Sequence, residues 1–287
     1  MKVIIFTIIL ILMILMPWSL KCQETKKKAE WLPKGNLFPT LRFDFKESQF
    51  SGGLYGFYTT GTWQNRVFAM FSAGLRRNVI RWQHKNGKAS ELGLELCVFP
   101  QFIFEKPFQT FRANFFNIDF KAGLQYQLQI NDHWKIRGRF YHVSSHLGDD
   151  YIFRYEIEHY VTNYRIYEMV DFSAAWLKGK FMVYGTLGCI VHSTYHRSPF
   201  VIQLGGEWKR VSKKLSWFQW IVGIDIRAEQ ENGFRPCIHT GAGIILGKPD
   251  RFPFTILIDY YNGTMPYSLY DNVFIQLIGV SLYFDVF

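Results

Sequence analysis

The sequence predicts an all-β protein, a transmembrane antiparallel β-barrel of about twelve strands. The period of its apolar residues, the length of its strands and the asymmetry of its connections carry that expectation. From Phe116 to Ile130 every even-numbered residue is apolar and every odd-numbered one is polar or glycine. Strict period two over that length describes a strand with one apolar face and one wet face. Phe218 to Arg227 and Glu91 to Leu96 alternate in the same way. A sandwich alternates too. Strands of about ten residues or more with charges along one face favour a barrel with a wet lumen.

Along the chain, Lys2, the apolar run Val3 to Met16 and the polar Pro17-Trp18-Ser19 have the three regions of a secretory signal peptide. The run is short for a spanning helix, which needs about 20 residues. Residues 1–22 are therefore expected to be a signal, cut near Cys22. A lipid anchor on Cys22 is an alternative, opposed by Lys21 where a small residue is usual. Residues 23–48, with Lys26-Lys27-Lys28 and Pro39, are expected as a flexible periplasmic lead-in. The barrel is expected over 49–287, with strands near 49–60, 64–82, 90–104, 116–130, 134–144, 163–177, 181–192, 200–209, 215–228, 236–246, 252–262 and 273–286.

The connections alternate in character. Links at 84–88, 131–133, 177–180, 209–214 and 247–251 are short and basic, whereas those at 105–114, 145–162 and 263–271 are longer and carry acids and histidines. Short turns on one rim and longer loops on the other, with an even strand count, is the asymmetry of a bacterial outer-membrane barrel whose termini are periplasmic. The last strand runs Ile278, Val280, Leu282, Phe284, Val286 on its apolar parity, leaving the terminal Phe287 out of phase. A terminal aromatic on a final strand resembles, here in part, the insertion signal of outer-membrane proteins, so the insertion machinery is an expected partner.

Composition agrees. Aromatic residues make up 18% of the 287 residues, with 28 Phe, 16 Tyr and 9 Trp, the types that strands and membrane interfaces favour. The net charge of +10 is scattered rather than gathered on an arm or a face, which points away from nucleic acid. Basic side chains on the periplasmic rim would meet anionic headgroups, so lipids are the expected partners. Beyond the signal, Cys97, Cys189 and Cys237 are an odd set without metal-ligand spacing. Parity puts Cys97 and Cys237 inward and Cys189 outward.

Chemistry is suggested at one place, the strand end Tyr141-His142-Val143-Ser144-Ser145-His146-Leu147-Gly148-Asp149-Asp150. His142 and Ser144 share the lipid-facing parity with Trp134, Ile136 and Phe140, while Lys135, Arg137 and Arg139 face inward. Residues two apart on a strand project side by side, so the imidazole could take the serine proton as general base. Glu168 is the one carboxylate on the same face of the next strand and falls within diagonal reach of His142; Glu156 is the competing third member. An ordinary polar strand end is the bland alternative. Asp149, Asp150, Glu156 and Glu158 offer hard oxygen ligands for calcium, although no calcium-loop signature is present and no other cofactor is indicated. Inward Asp119, Lys121, Arg137, Arg139, Asp225 and Arg227 would line a polar channel or close it with ion pairs.

The run His142 to Asp150, with Leu37-Phe38-Pro39-Thr40-Leu41 upstream and Tyr167-Glu168 later, resembles an uncharacterised family of bacterial outer-membrane proteins, a domain of unknown function. That resemblance implies a barrel in the outer membrane and no particular activity. Locally, the His-x-Ser pair is similar to outer membrane phospholipase A and to lipid A deacylases. Carried over, the similarity makes Ser144 the nucleophile, His142 the base and Glu168 or Glu156 the orienting group. Ser145 departs from it, standing where those enzymes tend to have asparagine. The function expected is therefore either an outer-leaflet lipid acyl-ester hydrolase or a non-enzymatic barrel with a pore, transport or structural role. A surface adhesin, resting on the 145–162 loop, is a third possibility.

Overall fold

The computed structural model describes residues 28–59, 61–105, 112–157, 165–247, 252–267 and 269–285. The expected signal and Cys22, Glu158 and the terminal Phe287 lie outside the described residues.

A short strand β1 (Lys28–Trp31) precedes twelve long ones: β2 (Phe50–Thr59), β3 (Thr62–Gln83), β4 (Ala89–Glu105), β5 (Arg112–Gln129), β6 (Trp134–Leu147), β7 (Arg165–Lys178), β8 (Phe181–Ser193), β9 (Phe200–Val211), β10 (Phe218–Glu229), β11 (Pro236–Leu246), β12 (Phe254–Thr264) and β13 (Phe274–Phe284). Each of the twelve pairs antiparallel with its neighbours in sequence. β13 closes the cylinder on β2, with Val280 opposite Leu54. The expected twelve-stranded closed barrel is what the chain forms. A helix α1 (Asp149–Arg154) follows β6.

The alternation sorts side chains as the period requires. Leu124, Phe140, Phe172, Leu187, Leu204 and Ile258 are exposed on the outer wall, whereas Glu95, Gln125, Arg137, Arg139, Asp171 and Gln203 are buried inside. A cylinder with an apolar outside and a charged inside suits lipid around it. Phe116 departs from the opening pattern. The register of β4 and β5 shifts between Gln101 and Phe102, and Phe116 turns inward to pack on the rings of Phe68 and Tyr151. An extra residue in one strand reverses the faces beyond it.

The lead-in is the largest departure. Residues 33–48, part of the segment expected as a flexible lead-in outside the cylinder, fold into its lumen, with Phe38, Leu41, Phe43 and Glu47 essentially inaccessible. β1 pairs beside the near-rim end of β3, with Trp31 opposite Ile80, in the place that a longer β2 would take. From there the chain crosses the lumen. The Phe38 N–H donates to Gln127 Oε1 at 2.6 Å, and on the opposite side Arg42 donates to Thr255 and to both oxygens of Asp285. Phe43 lies against Gly223, where a Cβ would collide with its ring. Glu47 then accepts from Arg76 at 2.9 Å, from both terminal nitrogens of Arg137 at 2.6 and 3.0 Å, and from Arg139 at 3.0 Å. Arg139 also grips Asp171 with two bonds, and Lys121 pairs with Glu95. Of the two arrangements expected for the inward charges, the lumen holds the ion-paired one, and a carboxylate of the lead-in completes it. The two cavities lined by Lys46 inside are about 30 Å³ each, room for roughly one water apiece.

Candidate functional site

The site is a row of side chains on the outer wall, near the rim opposite the chain termini. On β6 the outward parity runs Trp134, Ile136, Phe140, His142, Ser144, His146, and the inward one runs Arg137, Arg139, Tyr141, Val143, Ser145. The expected face for His142 and Ser144 is therefore the observed one. The register of β6 on β7 places Glu168 directly opposite His142, closer than the diagonal expected. His142 Nδ1 lies 2.9 Å from Glu168 Oε1. The second carboxylate oxygen, Oε2, is held by His192 Nδ1 of β8 at 2.5 Å. Glu168 thus sits between two imidazoles on adjacent strands. An acid beside apolar surface needs such partners to offset the loss of water.

Exposure grades along the row. The side chain of Glu168 is 25% accessible, His142 45% and His192 71%. With Nδ1 committed to Glu168, His142 presents Nε2, which bonds to none of the described residues. Ser144 stands between Phe120 of β5 and Ile166 of β7, about 7 Å along the strand from His142. Its hydroxyl makes no hydrogen bond among the described residues, so the serine and the imidazole stand side by side without a bond between them.

The rest of the motif is structural. Ser145 points inward and donates to Asp119 Oδ1 at 2.6 Å. Gly148 donates its N–H to the Phe116 carbonyl at 2.8 Å, and a Cβ there would run into the Phe115 carbonyl. Asp150 accepts the Phe115 N–H at 3.1 Å. Gly148 and Asp150 together tie α1 to the end of β5. Glu156 lies in the turn after α1, exposed and with φ of 49°. It forms no hydrogen bond or ion pair with a described residue and is not brought to His142. Among the described residues no group of three or more His, Cys, Asp or Glu side chains is arranged to hold a metal ion, Asp149, Asp150 and Glu156 included.

His192 is the member that the sequence hides. Parity along β8 carries Phe181, Val183, Leu187 and Cys189 outward and so assigns His192 to the lumen. The register shifts between Glu168 and Met169, which pair with His192 and Ile190, so that Val191 is left over and His192 emerges outside. A hydrogen-bonded imidazole beside an unbonded serine, both facing the same apolar surroundings, can in chemical terms pass a proton from hydroxyl to leaving group.

Comparison with solved structures shows that the chain shares the fold of outer-membrane barrels. The Salmonella typhi outer membrane phospholipase (OMPLA) dimer with bound calcium superposes with a TM-score of 0.54 at 12% identity, over 89% of this chain and 96% of that one. Outer membrane phospholipase A from Escherichia coli gives a TM-score of 0.52 at 11% identity, over 84% and 98%. At such identity the likeness establishes a shared fold. No curated protein matches the chain in sequence. A family profile does, over residues 21–286, and the chain belongs to that family, described as "Protein of unknown function (DUF1207)".

Proposed function

We propose that the protein is an outer-membrane barrel that hydrolyses acyl esters of outer-leaflet lipids, phospholipid or lipid A, with Ser144 as nucleophile, His142 as general base and Glu168 as the orienting acid. The observation that carries this reading is the 2.9 Å contact between His142 Nδ1 and Glu168 Oε1 on the outer wall, with Ser144 on the same face two residues along β6 and without a hydrogen bond among the described residues. Depth supports it. From Trp134 to Ser144, at about 3.3 Å per residue and a tilt of about 40°, the strand climbs roughly 25 Å, the height of the apolar band of such barrels. Ser144 then stands at the level where acyl chains meet their ester groups. The fold is shared with outer membrane phospholipase A, by its name a lipid hydrolase.

In the reaction the Ser144 oxygen attacks the ester carbonyl carbon as His142 Nε2 takes the hydroxyl proton. Glu168 fixes the ring and stabilises the imidazolium that forms. The tetrahedral adduct expels the alcohol, which receives the proton from His142 and leaves an acyl group on Ser144. Water, activated by the same imidazole, then releases the fatty acid. For this step Ser144 Oγ must come within hydrogen-bond reach of His142 Nε2, and such bonds commonly tighten only when substrate is present. Lipidomic mass spectrometry of outer membranes from cells with the wild type and with Ser144→Ala tests the proposal. Lysophospholipid or under-acylated lipid A should disappear in the variant; identical acyl profiles would count against it.

A second reading, a non-enzymatic structural barrel, draws on the filled lumen. It predicts that His142 and Ser144 can be replaced together without any change in lipid composition.

A further inference from the structure

We infer that His192 is a positioning residue of the hydrolytic site, holding the carboxylate of Glu168 so that its other oxygen stays on His142. The inference rests on the assignment of Ser144, His142 and Glu168 above and adds a fourth side chain to it.

The first ground is the bulge that delivers the residue. Down β7, Val170 pairs with Cys189, Met169 with Ile190 and Glu168 with His192, leaving Val191 over. Regular pairing would set Val191 on the outer wall beside Glu168, an apolar residue against an apolar medium. It would send His192 into the lumen. The extra residue reverses this, at the expense of regular pairing where β7 meets β8. Bulges that re-aim one side chain are concentrated next to active sites.

The second ground is geometry. A glutamate side chain has three rotatable bonds, and one hydrogen bond through Oε1 leaves its carboxylate free to swing toward water. A second bond through Oε2, at 2.5 Å from His192 Nδ1, fixes the plane of the group from the other side. The Nδ1 atoms of both rings are thereby used, and Nε2 of His142 is left without a partner among the described residues. Two imidazoles are the polar groups that face Glu168 from the neighbouring strands: His142 on β6 and His192 on β8.

The third ground is exposure. The His192 side chain is 71% accessible, so it adds little to packing, and a role confined to stability would not call for it there.

The test uses the purified full-length barrel in micelles containing an ester phospholipid, with hydrolysis followed by fatty-acid release. His192→Phe removes the donor. His192→Asn keeps one, because the asparagine amide nitrogen occupies nearly the place of Nδ1. His192→Phe is expected to lower kcat about tenfold with KM unchanged, as loosened orienting groups do, and His192→Asn to recover most of that loss. Both should keep the wild-type unfolding midpoint. If His192→Phe keeps kcat within about twofold of wild type while Ser144→Ala is inactive, the role of His192 is overturned and the triad stands. Equal losses in His192→Phe and His192→Asn overturn it as well. If Ser144→Ala hydrolyses as fast as wild type, the triad itself falls, and this inference with it.

Discussion

The lumen and the outer wall each hold a carboxylate between cationic or basic partners, and they do so in opposite ways. Glu47 is wholly buried and receives hydrogen bonds from Arg76, Arg137 and Arg139 on three sides. Glu168 is partly accessible and bridges His142 and His192, whose Nε2 atoms bond to none of the described residues. The inner network is closed on itself, so its parts can only hold one another in place. The outer row carries an imidazole nitrogen and, two residues along the same strand, a hydroxyl that bond to none of the described residues, which are the parts a proton-transfer device requires. Cations on three sides of one carboxylate mark the structural cluster, and an imidazole nitrogen without a partner among the described residues marks the reactive one.

This contrast can be broken at either end. The largest expected effect is on the wall: Ser144→Ala should reduce ester hydrolysis by roughly a thousandfold or more, while its denaturant midpoint stays at the wild-type value. In the lumen the same logic runs the other way. Arg137 has Glu47 as its acceptor and is itself fully buried, so Glu47→Gln strands a buried cation. Equilibrium unfolding in urea should then show a loss of about 3–5 kcal/mol, with residual folded protein keeping its specific activity. A smaller change is expected for Glu168→Gln, about ten- to a hundredfold in kcat with stability nearly untouched, because the amide still occupies the space between the rings but loses the charge. The smallest effect concerns Cys189. It sits half-exposed on the outer wall, in contrast to buried Cys97 and Cys237, and should be the cysteine that a small apolar maleimide modifies in detergent, leaving both stability and hydrolysis at wild-type levels.

The wall was far more legible in the sequence than the lumen. Alternation located all twelve strands, and β11 has the expected bounds, 236–246. A strand declares its faces through neighbours two apart, so composition and period are enough. His142, Ser144 and Glu168 were put on one face for the same reason. One error came from a bulge, which adds a residue and inverts parity: Phe116 went to the core, and a second bulge brings out His192, which the sequence reading did not single out. No local pattern marks where such a shift falls. The lead-in failed for a different cause. Residues 33–48 have no period, and what holds them is pairing over long separations, such as Glu47 with Arg137 and Arg42 with Asp285. A proline-containing polar stretch looks like a linker until the cylinder it fills has been built.

The central claim, that the wall serine is made nucleophilic by its neighbours, is tested most directly by intact-protein mass spectrometry after treatment with a fluorophosphonate. The folded wild type should gain one phosphonyl group, mapped by peptide sequencing to Ser144, and His142→Phe should gain none. An unmodified wild type, or equal labelling of both proteins, would contradict the account.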